Sequence, residues 1–233
     1  MTKLALHARG RHRFAWLKFS TLGLFFSIVL VSNYCVSKAG NTELFDSPPL
    51  PKGLTFNEAH FLSKQVQAKD LPPVAERLPE RPLVVPFTDE RSIGTYGGSL
   101  TTMVTGSKDT RLMTVYGYAR LVGYDENLAL RPDILEKVVV EGGRRFTFHL
   151  RKGHRWSDGF PFTTEDFRYY WEDVALNPDL APTGPPITMR VGDELATMEI
   201  IDDWTVRYSW STPNPFFLPA LAGARPPVHE IVP

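Results

Sequence analysis

Residues 146–167 read FTFHLRKGHRWSDGFPFTTEDF, and three local signals follow one another along them. Phe146, Phe148 and Leu150 alternate with Thr147, His149 and Arg151, the period-two pattern of a strand with one buried face. Asp158-Gly159 closes a tight turn in which glycine accepts a positive φ, and Trp156 is placed to pack beneath it. Thr163 and Asp166 have the spacing of a capping-box variant, and Glu165 and Asp166 put negative charge in the first turn, where the helix dipole favours it. Phe167, Tyr170, Trp171 and Val174 then form an apolar stripe, which Asn177-Pro178 ends.

Working outward, the strand is half of a hairpin. Val138 to Leu150 reads as two strands joined by Gly142-Gly143. A second hairpin pairs Met198–Ile201 with Val206–Trp210, with Asp202-Asp203 at its turn. Upstream, residues 111–122 carry Leu112, Val115, Tyr116, Ala119 and Val122 at helical spacing, and residues 98–104 alternate as a strand. Residues 57–69 predict a helix capped by Asn57, with Ala59, Leu62 and Val66 on one side, ended by Leu71-Pro72-Pro73. Residues 40–96 otherwise read as a Pro-rich lead-in, and the folded domain begins at residue 97. Strands and helices mix without a regular βαβ rhythm, so the fold class is α/β with mixed α+β character.

The formal charge of zero conceals an asymmetry. Of 26 basic residues, six (Lys3, Arg9, Arg11, Arg13, Lys18 and Lys38) lie in residues 1–39, which contain no Asp or Glu. The remainder carries 20 basic against 26 acidic residues, a net of −6, which offers no broad basic surface to a nucleic acid. A basic stretch, an apolar run from Leu22 to Val31 and a small-x-small site at Ser37–Ala39 describe a signal peptide over 1–39 cleaved before Gly40. The alternative is an uncleaved anchor running from Phe19 to Val36. Cys35 is the only cysteine, which excludes an intramolecular disulfide and any Cys-based metal site.

Catalytic chemistry has no visible set. His149 and His154 lie five apart around a glycine, which matches no metal-ligand spacing, and His149 belongs to the polar face of its strand. Glu165-Asp166 and Asp202-Asp203 are explained by a helix start and a turn. There is no nucleophile elbow and no phosphate-cradling loop. No catalytic residue, metal or cofactor is expected. The aromatics, Trp156, Trp171, Trp204 and Trp210 among them, read first as core, with one or two left to line a cleft.

In combination these pieces resemble the signature of the family 5 extracellular solute-binding proteins, the dipeptide- and oligopeptide-binding components of ABC importers. The matching pieces are the strand Phe146–Arg151, the turn Trp156–Gly159, Pro161 and the helix start Thr163–Phe167. Leu121–Leu128 with Arg131-Pro132, Ile201–Val206 and Pro213–Phe217 are similar to the family in the same order. The resemblance implies a type II periplasmic-binding-protein fold, of which 97–233 would be part of the N-terminal lobe, with the second lobe absent. It implies a truncated peptide binder that cannot enclose ligand alone, periplasmic in location and partnered by a peptide or other small solute and by an inner-membrane ABC permease. The alternative is an exported or membrane-tethered remnant of the scaffold without transport activity. Within the family the loop after the first strand touches the ligand. By position that loop is Gly106–Thr110, which makes Ser107, Lys108 and Asp109 the candidate binding residues: a hydroxyl, a cation for a ligand carboxylate and an anion for a ligand amine.

Overall fold

A computed structural model describes residues 42–85, 92–112 and 119–223. The predicted leader lies outside them. In chain order the elements are β1 (Thr42–Asp46), a 3-10 turn (His60–Leu62), α1 (Ser63–Gln67), α2 (Val74–Arg77), a second 3-10 turn (Ser107–Leu112), β2 (Val122–Tyr124) and β3 (Leu130–Pro132). The hairpin β4 (Leu135–Glu141) and β5 (Arg145–Leu150) leads to α3 (Thr164–Arg168), a π-helical stretch (Tyr169–Ala175) and a 3-10 turn (Ile187–Met189). The short pair β6 (Arg190–Val191) and β7 (Glu194–Leu195) precedes the hairpin β8 (Thr197–Asp202) and β9 (Thr205–Ser209), and α4 is Phe217–Leu221.

One antiparallel sheet of five strands, ordered β1-β4-β5-β9-β8, organises the molecule. The alternation read from the sequence sets its register, because a one-residue slip would turn every apolar side chain to the wrong face. Val140 lies opposite Phe146 and Val138 opposite Phe148; Tyr208 and Val206 face the same two phenylalanines from β9. This face is the core. Phe217 of α4 sits at its centre, with ring centroids 5.0 Å from Phe146, 5.0 Å from Trp210, 5.5 Å from Tyr208 and 5.8 Å from Phe148. Phe162, Phe167, Tyr170, Trp171 and Ala175 complete it. Helices thus cover one face of an antiparallel sheet, the α+β side of the expected class.

Both expected hairpins form. Gly142 and Gly143 both adopt positive φ, 59° and 63°, at the β4–β5 turn. The β8–β9 turn lies one residue later than read: Asp202 ends β8, and its carboxylate accepts from the Trp204 amide at 2.8 Å. The capping box is present, Thr163 accepting from the Glu165 amide and Asp166 from the Thr163 amide. Beyond Arg168 the helix widens into π geometry, and burial shifts from Val174, which is half-buried, to Ala175.

Three expectations need correction. Residues 98–104 form no strand. They run exposed and without ladder bonds, with Met103 96% exposed, because no neighbouring strand or core defines a face for their alternation. The helix predicted over 111–122 does not reach its end: 119–121 are irregular and Val122 opens β2, while 113–118 lie outside the described residues. The helix over 57–69 starts later and is split; Ala59 rather than Asn57 precedes it, and no side chain caps it. The Ala59, Leu62 and Val66 stripe is nonetheless its half-buried side.

The lead-in also contributes structure. β1 pairs with β4 from Thr42↔Glu141 to Asp46↔Lys137 and forms one edge of the sheet.

Candidate functional site

Residues 105–112 build the first candidate. Gly106 opens the 3-10 turn, and its carbonyl accepts from the Asp109 amide at 2.9 Å. The Asp109 carboxylate turns back and accepts from the Thr105 amide at 2.8 Å, the Thr105 hydroxyl at 2.7 Å and the Gly106 amide at 3.0 Å. These donors, the Thr105 hydroxyl foremost, hold its carboxyl below the usual aspartate range. Thr110 closes the turn by donating its hydroxyl to the Ser107 carbonyl at 2.7 Å. Ser107 and Lys108 are exposed on this turn, and Asp109 is half-buried within it. The three sequence-predicted residues are therefore brought together, but Asp109 spends its carboxylate inside the turn.

The polar face of the sheet is the second candidate; the alternation along β5 announces its residues, but not the cross-strand row they join. Cross-strand register places Asp46, Lys137, His149, Thr205 and Asp202 in one row across all five strands. The adjacent row on this face contains Thr147, Arg207 and Glu199; Arg207 donates to the Thr147 hydroxyl at 3.2 Å and to Glu199 at 3.1 Å. His149 lies where its strand alternation put it, on the polar face. Partial burial, with Lys137 beside it, lowers its pKa. His154, packed on Phe162 and close to Arg151, is lowered mainly by burial.

The aromatic residues divide. Phe146, Phe148, Trp171, Tyr208, Trp210 and Phe217 are core. Trp156 lies against Phe162 at 5.4 Å and donates its indole N–H to Asp166 at 3.0 Å, so it joins the Asp158-Gly159 turn to the start of α3. That turn is closed by the Gly159 amide donating to the Trp156 carbonyl at 2.9 Å, with Gly159 at φ 90°. Sequence reading missed an exposed trio, His60, Phe61 and Tyr96, whose ring centroids are 5.7–5.9 Å apart. Tyr96 comes from a stretch with no periodic signal, so its meeting with His60 was not legible. Among the described residues no three or more His, Cys, Asp or Glu side chains gather as metal ligands would, and no helix is long and apolar enough to cross a membrane.

Residues 129–232 match the model of the bacterial extracellular solute-binding proteins, family 5 Middle. The periplasmic alpha-galactoside-binding protein of Rhizobium meliloti (strain 1021) is 30% identical over 172 residues, 65% of this chain and 25% of that protein. A solved oligopeptide-binding protein, OppA, shares the fold with a TM-score of 0.63 and 32% identity over 74% of this chain and 26% of its own. The periplasmic binding protein MelB from Agrobacterium fabrum C58, in complex with stachyose, gives a TM-score of 0.55 and 25% identity over 79% of this chain and 30% of its own. The chain thus spans about a quarter of the length of the curated relative it matches over 172 residues.

Proposed function

We propose that the protein, whose residues 129–232 match the model of the bacterial extracellular solute-binding proteins of family 5, captures a solute outside the cytoplasm for an ABC-type permease in the inner membrane. The likeness to the oligopeptide-binding structure over 74% of the chain is the observation that carries this reading, and it makes a peptide the first solute to test. The basic-then-apolar order of residues 1–39 supports export, with cleavage before Gly40. The chain supplies one wall of a cleft, and a second lobe closes over the ligand by hinge motion. On that wall Ser107 and Lys108 meet a ligand carboxylate, while Asp109 holds the turn that presents them. The role is capture, not turnover.

A second solute class has its own support. The alpha-galactoside-binding relative aligns over 172 residues, and the stachyose complex covers 79% of the chain, so a galactosyl oligosaccharide is the alternative ligand.

The test joins this chain to the remaining length of an oligopeptide-binding relative, exports the chimera and examines it by native mass spectrometry. Co-purified masses of short peptides are expected. Oligosaccharide masses would replace the first solute by the second. A folded chimera that carries no solute, and takes up neither class when soaked, would overturn the proposal.

A further inference from the structure

Arg151 directly follows β5 and is 3% exposed, although it carries a full charge. A buried guanidinium is tolerated only where its N–H groups are taken up. Here its acceptors come from three distant segments: Nε donates to the Asp133 carbonyl at 2.9 Å, one terminal nitrogen to the Arg81 carbonyl at 2.7 Å and the other to the Ser47 hydroxyl at 2.6 Å. Around this fork the Ser47 hydroxyl donates to the Glu136 carbonyl at 2.8 Å, the Ser47 amide to the same carbonyl at 3.0 Å, and the Glu80 amide to the Lys152 carbonyl at 2.9 Å. Arg81 pairs with Glu136 over the top.

We infer that Arg151 is a latch that holds residues 42–47 and 79–81 on the sheet. Besides the latch, β1 is held by its five-residue edge ladder to β4 and by Phe45, which packs half-buried on the core, while Leu44 is 57% exposed. Without β1, the outer edge of β4, with its Leu-x-x-Val-Val-Val run, offers unpaired N–H and C=O groups to another chain. The buried cation thereby adds to the ladder and to Phe45 in keeping that edge covered. Nothing in the binding reading above depends on it.

Hydrogen exchange on the full chain tests the latch with Arg151→Met and the milder Ser47→Ala. Removing a hydrogen bond to a charged group changes a local opening equilibrium roughly tenfold or more. The amides of residues 43–47 that are bonded to β4, Ser47 among them, should exchange faster by that factor in Arg151→Met and by less in Ser47→Ala, while the β5–β9 ladder keeps its protection. Concentration-dependent association of Arg151→Met should accompany the change. Unchanged exchange at 43–47 in both variants overturns the inference, and so does a uniform rise along the chain, which makes Arg151 an ordinary core residue. If Arg151→Met does not fold, Ser47→Ala decides alone, by whether its effect stays within 43–47.

Discussion

Phe216 and Phe217 are adjacent and chemically identical, yet the structure gives them opposite weights. Phe217 is fully buried and meets four rings, while Phe216 is 73% exposed. Truncating a buried phenylalanine costs the transfer free energy of its ring plus the cavity left behind, about 3–5 kcal/mol. Edge-to-face and stacked partners add to area burial, which places Phe217→Ala near the upper end, at about 4–5 kcal/mol. Phe216→Ala should stay within about 0.5 kcal/mol of wild type. Urea unfolding followed by circular dichroism measures both, and the denaturant slope should be the same for both so that midpoints report stability. Against a total of roughly 5–15 kcal/mol, Phe217→Ala brings the fold close to its limit. Equal losses in the two variants, or a larger loss for Phe216→Ala, would refute the assignment of α4 as the cover of the sheet.

Gly159→Val should cost about 1–3 kcal/mol through backbone strain alone, because a Cβ there meets nothing within 4 Å; a full-stability variant would show that the positive φ is not required. Tyr208→Phe removes a fully buried hydroxyl that has no hydrogen-bond partner among the described residues, so stability should hold or rise by about 1 kcal/mol, and a clear loss in thermal melts would reveal a partner. His149 and His154 have folded pKa values below the ordinary 6.5. Their neutral forms therefore favour the folded state above about pH 6.5, and that contribution is lost as the pH falls below it. The double variant His149→Gln/His154→Gln should flatten this acid limb in melts at stepped pH, and an unchanged limb would assign it to other groups.

The hairpins and the capped helix were legible because their signals are local. Two glycines at the β4–β5 turn, strict alternation along β5 and β9, and Thr163 with Asp166 each act within a few residues. What the sequence hid depends on distant partners. Residues 98–104 alternate only loosely, with Leu100 and Val104 on one side and Met103 on the other, and a strand needs a neighbour, which the described structure does not place beside them. The edge strand β1 was hidden for the reverse reason: Thr42–Asp46 gains its ladder from β4, more than ninety residues on, and the Pro-rich surroundings read as lead-in. The loop holding Ser107, Lys108 and Asp109 was located by resemblance alone. Its internal bonding through Asp109 follows from the Thr105–Asp109 spacing, a local feature that did not stand out from the charged residues around it.

Calorimetric titration of the chimera with tri-alanine tests the claim of solute capture most directly. The account predicts saturable binding at about micromolar or tighter affinity, a roughly tenfold loss on Lys108→Ala, and peptide recovered intact afterwards. A folded chimera that binds neither tri-alanine nor raffinose, or one that returns the peptide hydrolysed, would contradict it.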